Sequence, residues 1–205
     1  MAIVAAAIVP HNPLLLPNIP STNSDLFSVT KKALDEYKDS LHNIGIDTIV
    51  IISSQTPRLP RAWGVNFCPE VKTDFKAYGD LATDIGFKTD MSLTQHIKEF
   101  SESKIDIQAF HEDMIDYGAA VPLVYFMTDT KPFKIVHISL SHDTLEQQYI
   151  AGQVLQKKLD VSSKRIAVLV STHLSHIKNA NPESASEPTK ADALILESIR
   201  DHDQD

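Results

Sequence analysis

A histidine between two prolines is the first residue of this chain that could carry out chemistry. Residues 9–17 read VPHNPLLLP, so that Pro10 and Pro13 flank His11. Proline fixes its own φ and disfavours the helical region for the residue before it, which presets the position of the imidazole. A preset imidazole suits a metal ligand or a general acid or base. The alternative, a histidine that only packs within a proline-rich loop, stays open on this segment alone.

Other polar residues that could belong to a site follow three further apolar runs. They are Ser54 and Gln55 after residues 48–53, His142 after residues 134–140, and His173 and His176 after residues 165–171. His173 and His176 are three positions apart, and both face one way only if their segment is a helical turn. We interpret His142 as structural, because it lies between Ser141 and Asp143 at a predicted helix start.

The elements that must position these residues alternate between strand and helix. Apolar, β-branched runs predict strands buried on both faces, and apolar residues at helical spacing predict helices with one buried stripe. The predicted strands are residues 2–8, 48–53, 134–140 and 165–171, and the predicted helices are residues 24–44, 92–101, 144–159 and 190–200. Gly45 marks the end of the first helix, and Asp143 with Glu146 marks the start of the third as a capping box.

Two stretches are less regular. Residues 57–89 are interrupted by prolines and glycines and predict short strands and loops, and residues 105–109 predict another short strand. Residues 118–127 are apolar and fit either a buried helix around Pro122 or a strand. His137 lies inside an apolar run, where a core histidine with satisfied hydrogen bonds is expected.

The alternation predicts an α/β fold of three layers, with a mostly parallel central sheet and helices on both faces. In such sheets ligands bind beyond the carboxyl ends of the strands. We therefore expect the residues that follow the four strands, His11 and Gln55 among them, to meet at one edge.

Composition narrows the class of protein. The length of 205 residues fits a single domain, 1–205, and 42% hydrophobic with 22% charged residues is typical of a soluble globular protein. A formal net charge of -8 without a Lys/Arg cluster argues against nucleic acid as a partner. The single Cys68 excludes a disulfide framework and favours a reducing, cytoplasmic location. The N-terminal apolar run is short and lacks a basic flank, so neither a signal peptide nor a membrane span is predicted.

The same residues carry a family resemblance. The sequence resembles the class III extradiol ring-cleavage dioxygenases, in their subunit-B type. Residues 10–17 resemble the opening proline-histidine turn of that family and residues 48–55 its second-strand motif. Residues 116–123, DYGAAVPL, are similar to its Asp-His-Gly-x-x-Val-Pro-Leu segment, and residues 174–176 to its late Leu-Ser-His. Order and approximate spacing agree over nearly the whole chain.

The resemblance implies a non-haem Fe(II) centre held by two histidines and one glutamate, a facial triad with positions open for a catechol-type aromatic substrate and O₂. Carried over by position, His11 is the first metal ligand and His176 the catalytic acid or base. Gln55 stands where the family has its second histidine ligand, and Tyr117 stands where the family has a second-sphere histidine. An amide oxygen is a poorer donor to Fe(II) than an imidazole.

The glutamate ligand of the family follows the Leu-Ser-His segment, in a C-terminal portion that residues 1–205 are expected to lack. Three interpretations therefore stay open: an Fe(II)-dependent extradiol dioxygenase, a catalytically inactive member that binds a small molecule or a protein, and a truncated fragment. A homo- or hetero-oligomer is compatible with each. No Gly-x-Ser-x-Gly elbow is present, which argues against a hydrolase.

Overall fold

The computed structural model describes residues 2–20, 27–57, 59–128, 132–174 and 190–202. The strands are β1 Ile3–Val9, β2 Thr48–Ser53, β3 Trp63–Asn66, β4 Glu70–Phe75, β5 Asp80–Lys88, β6 Ile107–Phe110, β7 Lys134–Ser139 and β8 Ile166–Ser171. The α-helices are α1 Ser28–Ile44, α2 Met91–Ser101, α3 Tyr117–Phe126, α4 Leu145–Asp160 and α5 Lys190–His202. All predicted helices and the four main predicted strands are present, with ends shifted by a few residues.

The central sheet has the strand order β1-β8-β2-β7-β3-β6. The first four strands are parallel, whereas β3 runs antiparallel to β7 and parallel to β6. In register, Val9 lies beside Ser171, Ser171 beside Ser53, and Ser53 beside Ser139. The predicted mostly parallel sheet is confirmed, and the carboxyl ends of its four parallel strands lie at one edge.

Helices cover both faces of this sheet. One apolar cluster joins α1 and α3 to Ile51 and Leu169, and it also includes Phe75 from the separate β4–β5 hairpin. A second cluster joins α2 and α4 to Val50 and Ile138. Consecutive residues of β2 belong to opposite clusters because side chains alternate across a strand. This arrangement confirms the predicted three layers.

Two expectations about element details were wrong. The prediction that the first strand, β1, is buried on both faces is wrong. Within the described sheet β1 pairs only with β8, and Ile8 is 46% exposed. A run of small apolar residues does not reveal whether a strand is central or at an edge. The cap of α4 is Thr144 rather than Asp143, because the Thr144 side chain accepts a hydrogen bond from the Gln147 backbone N–H.

The ambiguous segment 118–127 is helical. α3 begins after Asp116, whose side chain accepts a hydrogen bond from the Ala119 N–H as an N-cap, and it contains Pro122. Seven of its residues are buried, so its apolar character reflects a helix enclosed in the core. The predicted end of α1 at Gly45 is confirmed, with φ of 70° and an N–H bonded to the Leu41 carbonyl.

The chain divides into two compact units, Met1–Thr172 and His173–Asp205. The first contains β1 to β8 and α1 to α4, and the second contains α5. None of the helices in the described part of the chain combines the length and apolar character that a bilayer crossing requires.

Candidate functional site

The last residues of three neighbouring parallel strands form a row of buried serines. Ser171, Ser53 and Ser139 end β8, β2 and β7 and lie side by side in register. The Ser171 hydroxyl donates a hydrogen bond to the Gly118 carbonyl, and the Ser53 hydroxyl donates to Asp116 Oδ1 at 2.7 Å. The first turn of α3 is therefore fastened to the carboxyl edge of the sheet.

His11 lies in the same place. Its ring is completely buried, and its Nδ1 is 3.0 Å from Ser171 Oγ. The ring of Tyr117, from the first turn of α3, meets the imidazole edge to face, with centroids 5.5 Å apart and planes at 77°. Two predicted site residues, 106 positions apart in sequence (117 − 11), are thus neighbours. The Tyr117 ring is also close to the Tyr78 ring, with centroids 5.7 Å apart.

Gln55 lies against the same turn of α3. A Cβ atom placed on Gly118 would come within 2.7 Å of both Cβ and Cγ of Gln55. The backbone N–H of Gln55 also donates to Ser53 Oγ at 3.1 Å. The absence of a side chain at position 118 is what lets Gln55 approach. The structure thus brings Gln55, Tyr117 and His11 to one helix turn, while their roles as ligand and catalytic residues stay predictions.

His176 lies outside the described residues, which end at Leu174 before resuming at Lys190. His173 is described and belongs to the second compact unit. The predicted acid or base role of His176 is therefore carried by sequence alone.

Sequence reasoning missed a buried network next to this turn. Thr56 Oγ1 donates to Asp116 Oδ2 at 2.6 Å and lies 2.8 Å from Nε2 of His137, which is itself 3.4 Å from Asp116 Oδ2. Burial by itself would raise the pKa of Asp116, but the nearby His137 and the hydrogen bonds from Thr56 and Ser53 outweigh it and lower the pKa to about 2. Asp116 is therefore a carboxylate at neutral pH.

One signal could have found this network. His137 and Ser139 are polar at alternate positions of an otherwise apolar strand, so both must face the same layer. The expected core histidine is confirmed as buried, but within the described part of the chain its hydrogen bonds are satisfied at one nitrogen only, Nε2, which has Thr56 as a partner. Its Nδ1 has no hydrogen-bond partner among the described residues.

The described residues alone do not supply the donor set of the iron centre that the family resemblance implies. Among residues 2–174 and 190–202, apart from the gaps in their description, no three His, Cys, Asp or Glu side chains converge on a point where they could hold a metal ion. Both oxygens of Asp116 are occupied by hydrogen bonds from Ser53, Thr56 and the Ala119 N–H. His11 offers an imidazole and Gln55 an amide, whereas Nε2 of His137 is taken by its contact with Thr56.

The fold and this site define the class of the protein. It is a mostly parallel α/β domain with a buried histidine at the carboxyl edge of its sheet. The chain belongs to the family described as the catalytic LigB subunit of aromatic ring-opening dioxygenase, whose model matches residues 5–202. The family resemblance identified from the motifs is confirmed.

The chain is also similar to two individual proteins. It is 20% identical to Protein CA_C1420 of Clostridium acetobutylicum over 206 aligned positions, which cover 95% of this chain and 44% of that protein. The chain thus spans less than half the length of that curated relative. The crystal structure of uncharacterized protein JW3007 from Escherichia coli K12 is similar in fold, with a TM-score of 0.50, 20% identity, and coverage of 69% of this chain and 54% of that one.

Proposed function

We propose that this domain binds a small catechol-type aromatic molecule beside His11 and Tyr117, and that it lacks a stable ring-cleaving Fe(II) centre. The observation that carries the proposal concerns Gln55, which stands where the family has its second histidine ligand. Gln55 packs against Gly118. An amide binds ferrous iron less well than an imidazole, so this substitution lowers the affinity of the site for the metal.

The residues of the chain support ligand binding without redox chemistry. Burial raises the pKa of Tyr117, so its phenol stays protonated at neutral pH and is able to donate a hydrogen bond to a ligand. His11 supplies an imidazole held in place by Ser171. Because His11 is completely enclosed, we expect the ligand to displace a neighbouring group as it binds.

Metal loading tests the second half of the proposal. We expect the protein, after anaerobic exposure to Fe(II) and gel filtration, to retain far less than one iron per chain. Gln55→His should increase the retained iron, and His11→Ala in that background should remove the increase, because both imidazoles are then needed. His96→Ala, at an exposed position on α2, is the control. Stoichiometric iron in the unmodified protein would contradict the proposal.

Calorimetry with catechol tests the first half. Loss of one hydrogen bond in Tyr117→Phe should weaken catechol binding by roughly 3- to 10-fold, corresponding to about 1 kcal/mol. Tyr149→Phe, on the exposed side of α4, should leave the affinity unchanged. Equal affinities for Tyr117→Phe and the unmodified protein would remove Tyr117 from the ligand site.

A second candidate is Fe(II)-dependent extradiol cleavage of a catechol with O₂. It is favoured by the match to a catalytic subunit over residues 5–202, a range that includes His176. It predicts oxygen uptake with catechol by protein loaded anaerobically with Fe(II), and loss of that uptake in His176→Ala. No uptake at saturating iron and catechol would leave the binding proposal in place.

Location and assembly complete the proposal. The free Cys68 thiol fits a cytoplasmic protein, which fractionation of the source cells would test. A homo- or hetero-oligomer without nucleic acid or membrane as a partner stays our prediction, and light scattering of the purified protein measures the oligomeric state.

A further inference from the structure

A proline inside α3 leaves one carbonyl of the helix without its usual partner. Pro122 has no backbone N–H, so it cannot donate to the carbonyl of Gly118 four residues earlier. A buried carbonyl without a hydrogen bond is costly. The Ser171 hydroxyl, reaching across from the end of β8, donates to the Gly118 carbonyl in place of the missing N–H.

This hydrogen bond determines the direction of the next one. A serine hydroxyl has one proton, and that of Ser171 is directed to the Gly118 carbonyl. Ser171 Oγ can therefore only accept in its 3.0 Å contact with His11 Nδ1. The proton of that bond must belong to Nδ1 of the imidazole.

We propose that Pro122 and Ser171 are positioning residues that hold His11 in its Nδ1–H tautomer, with the lone pair of the neutral ring on Nε2. The chain of bonds runs from the helix carbonyl to the serine and from the serine to the histidine. The partner of one ring nitrogen sets the tautomer and so the chemistry of the other nitrogen.

The tautomer specifies what His11 can bind. Nε2 then carries the electron pair of the ring. It can accept a hydrogen bond from the hydroxyl group of an aromatic ligand or coordinate a divalent cation. The tautomer itself follows from the hydrogen bonds, whereas this consequence for ligands rests on the proposed function of the site.

Nitrogen-15 NMR of the histidine rings tests the tautomer directly, without any ligand. The full chain is studied about two pH units above the ordinary histidine pKa of ~6.5, where imidazole is neutral, and His11 is assigned from the signals missing in His11→Ala. We expect a protonated, pyrrole-type Nδ1 and an unprotonated, pyridine-type Nε2. The opposite pattern in the unmodified protein would overturn the proposal.

Two substitutions should release the tautomer by different routes. Ser171→Ala removes the acceptor for Nδ1–H. Pro122→Ala restores the helix N–H to the Gly118 carbonyl, which frees the Ser171 hydroxyl to donate to Nδ1 instead. In each variant we expect the Nε2–H form to become populated. Ser139→Ala is the matched control, because Ser139 is equally buried at the end of β7 and its hydroxyl has no hydrogen-bond partner among the described residues.

Pro122→Ala keeps the proposal falsifiable if Ser171→Ala does not fold. An unchanged ring pattern in Pro122→Ala would overturn the role of the proline, and an unchanged pattern in a folded Ser171→Ala would overturn that of the serine. Ser171→Thr, which retains a hydroxyl, should restore the Nδ1–H pattern.

A catechol titration separates this inference from the proposed function. Catechol bound beside His11 should shift the Nε2 signal and leave Nδ1 protonated. If catechol does not bind while the Nδ1–H pattern is present, the ligand site fails and the tautomer assignment stands.

Discussion

Asp116 is the single residue on which most hydrogen bonds of the site converge. It accepts from Ser53, Thr56 and the Ala119 N–H, and its Oδ2 lies 3.4 Å from His137 Nε2. One carboxylate thus caps α3 and connects it to β2 and β7. Because a buried charge is tolerated only with several partners, the network and the helix start depend on each other.

The low pKa of Asp116 makes stability depend on pH. A carboxyl group with a pKa of about 2 in the folded state and 3.8 in the unfolded state stabilises the fold above pH ~4, and this contribution is lost as the pH falls through about 2. The shift of nearly two units corresponds to about 2 kcal/mol. We expect Asp116→Asn to lower the free energy of unfolding by about that amount at pH 7, and by much less at pH 2.5.

Urea unfolding at several pH values measures this difference. Asparagine is as good an N-cap as aspartate, so the helix start itself is preserved in Asp116→Asn. Asp113→Asn, at an exposed position just before it, is the control and should leave the pH dependence unchanged. The difference in free energy of unfolding between Asp116→Asn and the unmodified protein should shrink toward acid pH. If it does not, the carboxylate charge is not the source of the stabilisation.

At the scale of elements, the first turn of α3 depends on a close approach to the loop after β2. An alanine would ordinarily suit a helix better than glycine by about 1 kcal/mol. At position 118 a Cβ would lie 2.7 Å from Gln55 Cβ and 2.8 Å from Asp116 Oδ1. Neither atom is at the free end of a long side chain, so the clash outweighs the helix preference.

Two glycine substitutions with opposite signs test this reasoning. We expect Gly118→Ala to destabilise the protein by about 1–3 kcal/mol through overpacking. Gly152→Ala, in α4 with nothing within 4 Å of the added Cβ, should stabilise it by about 0.5–1 kcal/mol. Thermal or urea unfolding of both variants measures the two changes. A stabilised Gly118→Ala would mean that Gln55 is not packed against this turn.

For the whole molecule, the position of the apolar core predicts which part can fold alone. Both core clusters consist of residues between Ala2 and Val170, all in the first compact unit. We therefore expect a chain ending at Thr172 to unfold cooperatively, because it retains all the strands that the structure describes and the helices on both faces of the sheet.

Calorimetry of the shortened chain, compared with the full chain, measures its transition. The expected result is one cooperative transition with an enthalpy of about 0.7 kcal/mol per residue near 60 °C. A broad transition, or a shortened protein without a heat-absorption peak, would show that residues 173–205 are needed for the core.

The sequence by itself determined the alternation of strands and helices, the three layers and the edge at which the polar residues meet. These features depend on local patterns, namely β-branched runs, apolar stripes at helical spacing and the left-handed glycine at position 45. The proline-histidine turn and the family resemblance also located His11, Gln55 and Tyr117 as residues of one region. The match over residues 5–202 confirms the family.

Only the tertiary structure decided which groups touch. The His11–Ser171 bond joins residues 160 positions apart, and the Asp116 network joins three separate strands and loops. Neither the edge position of β1 in the described sheet nor the helical state of α3 could be inferred, because pairing and packing with distant segments choose between local alternatives of similar energy. The direction of the hydrogen bond at His11 depends on Pro122 through Gly118 and Ser171. This series of contacts exists only after the chain has folded.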